Sequence, residues 1–163
     1  MDTFEIRDIQ EKDFSAIEPI IKEEWGSLRI VSKGKLYNAS HLKGVVVESN
    51  NKIQGFLLYV ISDLTCEVIA LKSLIENMGI GSKLLSKARE IAESEGCNKL
   101  IVITTNDNIH AQEFYKKRGF THVNTYINAV NDSRQLKPEI PFTNEQGIPI
   151  TDELEFEITL TKK

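Results

Sequence analysis

The segment from Glu67 to Ile103 restricts the fold more than any other part of the chain. Glu67-Val68-Ile69-Ala70-Leu71 is short, aliphatic and β-branched, which suits a strand. Leu100-Ile101-Val102-Ile103 is a continuous apolar run, which suits a strand covered on both faces. Between them Ile80, Leu84, Ala88, Ile91 and Ala92 recur at helical spacing as far as Gly96, a natural stop. A strand, helix and strand in that order make the two strands parallel, with a right-handed crossover. The link from the first strand to the helix is Ile75-Glu76-Asn77-Met78-Gly79-Ile80-Gly81-Ser82-Lys83-Leu84-Leu85. At such a start the first N–H groups have no intrahelical acceptor and the helix dipole is positive. Two glycines remove the Cβ atoms that would keep a ligand off the backbone, so the turn suits a phosphate or pyrophosphate. The same glycines also fit a helix start that needs room only to pack against the sheet. Two commoner phosphate loops are excluded. Leu84 stands where the dinucleotide fingerprint needs a third glycine, and no Lys-Ser or Lys-Thr follows at the spacing of an ATP or GTP loop.

Before this unit, Phe4 and Ile6 alternate with Glu5 and Arg7, which predicts a strand over 3–8. Phe14, Ile17, Ile21 and Trp25 predict a helix capped by Asp13, with a kink or late start at Pro19. Residues 26–43 show no clear period and read as an irregular or briefly helical crossing. Val45-Val46-Val47-Glu48, the pair Asn50-Asn51, and Ile53 to Ile61 read as strand, tight reversal and strand, and Asp63 marks a second reversal. The result is an antiparallel meander. After the central unit a short helix is expected over 108–118, ended by Gly119, and a strand over 123–129. Residues 131–149, with Pro138, Pro141, Gly147 and Pro149, read as a long excursion. It leads into a last strand in which Leu154, Phe156, Ile158 and Leu160 alternate with polar residues and which closes the sheet.

At 163 residues, 40% hydrophobic and 27% charged, the chain fits one globular domain. A formal charge of −4 argues against a general nucleic-acid binder, and the one tight basic run, Lys116-Lys117-Arg118, reads as a solvated helix end. Met1 to Gln10 lacks the pattern of a signal peptide and no apolar stretch is long enough to span a bilayer, so a cytoplasmic protein is expected. Cys66 and Cys97 read as buried small hydrophobes, and His41, His110 and His122 are scattered, so no metal site is expected.

Two segments carry a resemblance: Glu76 to Leu85, and Asn108-Ile109-His110-Ala111-Gln112-Glu113-Phe114-Tyr115-Lys116-Lys117-Arg118-Gly119-Phe120. In this order, after an antiparallel meander, they resemble the GNAT superfamily of acetyl-coenzyme A-dependent N-acetyltransferases. The resemblance covers the order of elements over most of the chain. It implies an α/β (α+β) domain over 1–163, with a mixed, mostly antiparallel twisted sheet of about seven strands, about four helices, and two splayed parallel central strands. It also implies acetyl-coenzyme A as cosubstrate. Met78, Gly79, Ile80, Gly81, Ser82 and Lys83 match the loop that wraps the coenzyme's pyrophosphate with backbone N–H groups. Glu76 departs from the family's Gln or Arg, but backbone donation does not depend on that side chain. By position, Leu71 and Ser73 supply the backbone groups that bond the pantetheine arm and polarise the thioester carbonyl. Asn108 matches the asparagine that contacts the arm, and is equally a natural helix N-cap. Tyr115 matches the tyrosine near the sulfur, whose phenol can protonate the departing thiolate, and also fits plain packing beside Phe114 and Phe120.

No family motif fixes the general base. Glu67 is the candidate, because alternation puts it on one face with Ile69 and Leu71; a salt-bridged or solvent-facing Glu67 is the competing reading, and Asp63 and Glu48 are further carboxylates. The implied activity is transfer of an acetyl group to a primary amine by direct attack in a ternary complex. The expected partner is an amine acceptor, a small molecule ahead of a protein, with no nucleic acid and no membrane, in a monomer or homodimer. The alternatives are a non-catalytic acetyl-coenzyme A sensor or subunit, and a nucleotide-binding α/β protein unrelated to acyl transfer.

Overall fold

A computed structural model describes residues 3–161. In chain order its elements are β1 (Glu5–Asp8), α1 (Phe14–Trp25), β2 (Arg29–Ser32), β3 (Lys35–Asn38), β4 (Lys43–Ser49), β5 (Lys52–Ser62), β6 (Thr65–Ser73), α2 (Ile80–Ser94), β7 (Lys99–Thr105), α3 (Ile109–Lys117), β8 (Thr121–Tyr126), α4 (Ala129–Leu136) and β9 (Glu153–Thr159). Seven strands form one sheet in the order β1, β4, β5, β6, β7, β9, β8. Every neighbouring pair is antiparallel except β6 and β7, the parallel pair that the strand, helix, strand order requires. Four helices and a mostly antiparallel seven-stranded sheet match the expected architecture. Among the described residues no helix is long and apolar enough to cross a membrane.

The meander forms where tight reversals were expected. Asn50 and Asn51 (φ 54° and 62°), and Asp63 and Leu64 (φ 49° and 61°), take left-handed backbone at both central positions, matching the twist of the flanking strands. The sheet separates two cores. On one face Val47, Leu57, Val68, Leu84, Ala88 and Val102 pack with α2; on the other Ile17, Ile21, Val46, Phe56, Leu58 and Ile69 pack with α1. Cys66 and Cys97 are fully buried, and burial raises the ionisation of both thiols, Cys66 to about 12. Inert small hydrophobes are what the sequence suggested.

Several expectations are corrected. Residues 26–43 do contain a brief helical turn, at Ala39–His41, but most of the segment is the hairpin β2–β3, closed by Lys33 and Gly34 with φ of 51° and 76°. Its signal was an X-Gly reversal between Ile30-Val31 and Leu36-Tyr37, too short to show a period. The excursion after β8 begins with α4, and β8 itself ends at Tyr126. β9 does not close the sheet at its edge; it inserts between β7 and β8. Asp13 does not cap α1 with its side chain. Its carboxylate receives two bonds of 2.8 Å from Arg7 and one of 2.7 Å from the Gln10 N–H, closing the turn before the helix. α1 runs through Pro19 without a break, at the cost of the one helical bond Pro19 cannot donate.

Candidate functional site

The site is built on an incomplete pairing. β6 and β7 pair in register only from Thr65/Lys99 to Val68/Val102, after which β6 continues to Ser73 along β5, and β7 to Thr105 along β9. Two features hold the strands apart. β6 slips register against β5 between the pairs Leu58/Ala70 and Tyr59/Val68, so Ile69 is an extra residue that bends and twists the strand. The end of β7 is tied away from β6: Gln112 Nε2 donates to the carbonyls of Thr105 and Asn106, both at 3.1 Å, and Asn106 Oδ1 accepts from the N–H groups of Thr151 at 2.9 Å and Asp152 at 3.0 Å. The β7-facing backbone edge of β6 from Ile69 to Ser73, which includes Leu71 and Ser73, is therefore left without a strand partner. The bulge also overturns the face assignment. Glu67 and Ile69 lie on the α1 side, whereas Leu71 packs against the α2-side core.

The glycine turn lies beside this gap. Gly79 caps α2 with φ 70°, a conformation that suits glycine, and no side chain caps the helix. The first helical bond runs from the Lys83 N–H to the Gly79 carbonyl at 3.0 Å, so the N–H groups of Ile80, Gly81 and Ser82 have no intrahelical acceptor. Gly81 is required for a second reason: a Cβ there would lie 2.8 Å from Cζ of Phe114, which packs α3 against the start of α2. Glu76, Met78 and Lys83 are exposed, and Glu76 faces solvent.

Arg118 is not a solvated helix end. Its guanidinium lies 3.6 Å over the Phe114 ring, and its Nε donates to Ser82 Oγ at 2.7 Å, which brings a cation to the start of α2. The signal was the four-residue Phe114 to Arg118 spacing, which puts both side chains on one helix face.

α3 supplies the other two candidates. Asn108 is the N-cap: its Oδ1 accepts from the Ala111 N–H at 3.0 Å, which leaves its amide N–H groups free to donate. Tyr115 is buried, its ring held by edge contacts with Phe114 and Phe120 at centroid separations of 5.4 and 5.6 Å, and by Phe156 at 6.2 Å. Burial alone pushes its phenol ionisation upward, so the hydroxyl keeps its proton at any working pH.

Glu67 does not face solvent, and among the described residues it has no salt-bridge partner. It sits on the last paired stretch of β6, is 9% exposed, and accepts a 2.5 Å bond from Ser32 Oγ at the tip of the β2–β3 hairpin. Burial raises its proton affinity, partly offset by the Ser32 bond and the Lys33 charge. Its surroundings were invisible in the sequence, because β9 presents its polar side to the protein rather than to water. Glu153 and Glu155 are 4% and 3% exposed. Glu155 accepts from Tyr126 OH at 2.7 Å and pairs with Lys33 Nζ at 3.1 Å. Burial alone would raise its proton affinity, but these partners together bring it below the usual carboxylate value. Asp63 is in the β5–β6 turn and Glu48 pairs with Arg7 at 3.2 Å, so neither joins this group.

An open strand edge, unbonded helix-start amides and a buried phenol on one side, with a buried carboxylate at the apex, can hold a thioester and deprotonate a nucleophile. Among the described residues no three acidic, histidine or cysteine side chains are arranged to hold a metal ion. The uncharacterized Bacillus subtilis (strain 168) protein YxbD is 41% identical over 139 residues, 85% of this chain and 87% of its own length. Among solved structures, an IAA acetyltransferase from Bacillus cereus ATCC 14579 superposes with a TM-score of 0.73 at 18% identity, covering 97% of this chain and 100% of its own. A GNAT family acetyltransferase from Elizabethkingia anophelis, solved with acetyl-CoA bound, gives 0.70 at 22% identity, covering 96% and 98%. The model of the acetyltransferase (GNAT) family matches residues 4–120, and the chain belongs to that family.

Proposed function

We propose that residues 1–163 act as one N-acetyltransferase domain, passing the acetyl group of acetyl-coenzyme A to a primary amine by direct attack in a ternary complex. The observation that carries this reading is the β6–β7 gap, which opens beyond Val68 and Val102 next to three helix-start N–H groups with no intrahelical acceptor. The amides of the Met78 to Lys83 loop, with Arg118 behind Ser82, bind the pyrophosphate. The open edge at Leu71 and Ser73 bonds the pantetheine arm, and an N–H there stabilises the oxyanion of the tetrahedral intermediate, a contribution of roughly 3 kcal/mol by comparison with deleted donors elsewhere. The free amide of Asn108 bonds the arm from α3.

Chemistry then needs two protons taken from the nitrogen, one before attack and one after it, and one supplied to the sulfur. Glu67 takes a proton from the acceptor ammonium, directly or through water, and its raised affinity makes it a stronger base than an exposed carboxylate. The amine forms its bond to the carbonyl carbon, the nitrogen gives up its second proton to solvent, the C–S bond breaks, and Tyr115 gives its proton to the leaving thiolate and is reprotonated from solvent, so that one proton is released overall. Thiol release from acetyl-coenzyme A, measured over a panel of amines, tests the reading. Amine-dependent release is expected; coenzyme binding without release on any amine would leave a binding module instead.

A further inference from the structure

The β2–β3 hairpin tip draws together carboxylates from two strands that β7 separates. Ser32 Oγ holds Glu67 of β6, the Lys33 N–H reaches Glu153 Oε2 of β9 at 3.4 Å, and Lys33 Nζ pairs with Glu155 of β9. Asn124 also reaches Glu155 at 3.5 Å, and Lys33 lies 5.6 Å over the Tyr126 ring. Lys33 is thus committed to Glu155. The other cation nearby, Lys35, lies 5.3 Å over the Tyr37 ring. Among the described residues neither Glu67 nor Glu153 has an ion-pair partner. Glu153 carries the sharper anomaly: its Oε1 is buried and accepts no hydrogen bond from any of the described residues, although the residue is only 4% exposed. An orphaned buried carboxylate oxygen is costly, and proteins keep one where a ligand completes it. Among the described residues no three acidic, histidine or cysteine side chains are arranged there to hold a metal ion.

We propose that the acceptor is a slender aliphatic polyamine, one nitrogen deprotonated at Glu67 and a second held as ammonium by Glu153. The inference rests on the acetyltransferase reading and names its substrate class. Two features favour a dication over a monoamine. Two carboxylates lack a counter-charge once Lys33 is paired with Glu155. Their anchoring atoms, Ser32 Oγ and Lys33 N, belong to consecutive residues, so the two carboxylates lie within roughly 10 Å of each other. A chain of about three or four methylenes between two nitrogens bridges such a gap through ammonium bonds of ordinary length. A carboxylate next to the reacting amine, as in an amino acid, would face the same negative charges and be rejected. Burial raises the proton affinity of both glutamates, and a bound cation would oppose that shift.

Calorimetry with putrescine, spermidine, n-butylamine, free lysine and a short peptide amine, each titrated into the protein saturated with coenzyme A, tests the assignment without turnover. Putrescine and spermidine should bind at least ~10-fold more tightly than n-butylamine, and Glu153→Gln should abolish that preference while leaving n-butylamine affinity unchanged. Glu157→Gln, on the same strand but paired with Lys99, should leave it intact. In steady state, Glu153→Gln should raise KM for putrescine with little change in kcat. Equal binding of putrescine and n-butylamine by the wild type, or tighter binding of lysine or the peptide, overturns the proposal. If such acceptors still release thiol, the acetyltransferase reading stands without it. Diamine binding lost in Glu153→Gln with no thiol release from any amine would keep the diamine site and overturn the enzyme.

Discussion

Replacing Tyr115 by Phe separates the chemical role of the phenol from its packing role. The ring is fixed by Phe114, Phe120 and Phe156, and all three contacts survive loss of the oxygen. No hydrogen bond or neighbouring charge contributes to the shifted ionisation of the hydroxyl, so the substitution breaks no polar contact. Stability should therefore change by less than about 1 kcal/mol, against the 1–3 expected when a bonded buried group loses its partner. For a chain of this length that is a melting shift within roughly 4 °C, in either direction. Turnover should fall far more. A positioned general acid contributes about 10²–10⁴-fold, equivalent to roughly 3–5 kcal/mol of barrier, because the thiolate must otherwise take its proton from water. Coenzyme affinity should stay at the wild-type value, since the groups proposed to hold pyrophosphate and pantetheine belong to other residues. The assay is thiol release at saturating acetyl-coenzyme A, with thermal melts and coenzyme titrations on the same preparations. Wild-type turnover in Tyr115→Phe would refute the acid role. A large fall in melting temperature would instead make the hydroxyl structural.

Gly81→Ala puts a methyl 2.8 Å from Phe114 Cζ, so the ring must move and take Arg118 off Ser82; coenzyme affinity should fall by about tenfold with a stability loss of about 1–3 kcal/mol, read by calorimetry and melts. Gly79→Ala meets no atom but keeps φ at 70°, so its cost is backbone strain alone, about 1–2 kcal/mol, seen as a lower melting temperature. Glu67 accepts a proton only when ionised, so kcat/KM should rise with pH along a limb whose midpoint lies above the ordinary carboxylate value, and Glu67→Gln should flatten that limb. The same raised affinity means the folded state holds a proton the unfolded chain has released. Stability from Glu67 is therefore present below the ordinary carboxylate value and lost as pH rises through the folded one. Thermal melts should show Glu67→Gln losing less stability than wild type across that window.

The legible part of this protein is what local pattern controls. The paired asparagines at 50–51 needed no partner to reverse the chain, and the apolar spacing from Ile80 to Ala92 needed only a sheet to pack on. The α3 motif could be matched residue by residue because Asn108 and Tyr115 take their places from one helix. What stayed hidden was decided by contacts distant in sequence. Glu153 and Glu155 look like the wet side of an edge strand until β8 is seen to pair outside them and the β2–β3 hairpin to lie over them. The hairpin was missed because each of its strands has four residues, too few for a period to register. Arg118 was misread because a basic run at a helix end is normally solvated, and only the proximity of α2 gives it Ser82 as a partner.

The extra residue at Ile69 connects the two halves of the site. Without it, strict alternation would put Leu71 on the α1 side with Glu67, and the open edge of β6 would present its groups in a different rotation. With it, Glu67 stays on the α1 side under the hairpin tip while Leu71 turns toward α2, the side from which the helix-start amides and Tyr115 approach. In the proposed reaction a single strand would thereby serve two substrates from opposite faces. Under that proposal thioester and amine would meet through the gap in the sheet without competing for one pocket, which is the geometry that direct attack in a ternary complex demands. Such a bulge also costs pairing: beyond Val68 and Val102 the parallel ladder stops, and the backbone groups left open there are the ones an extended pantetheine arm would bond. At the end of β7 the backbone is tied from the far side by Asn106 and Gln112, so the position of that strand does not depend on pairing with β6.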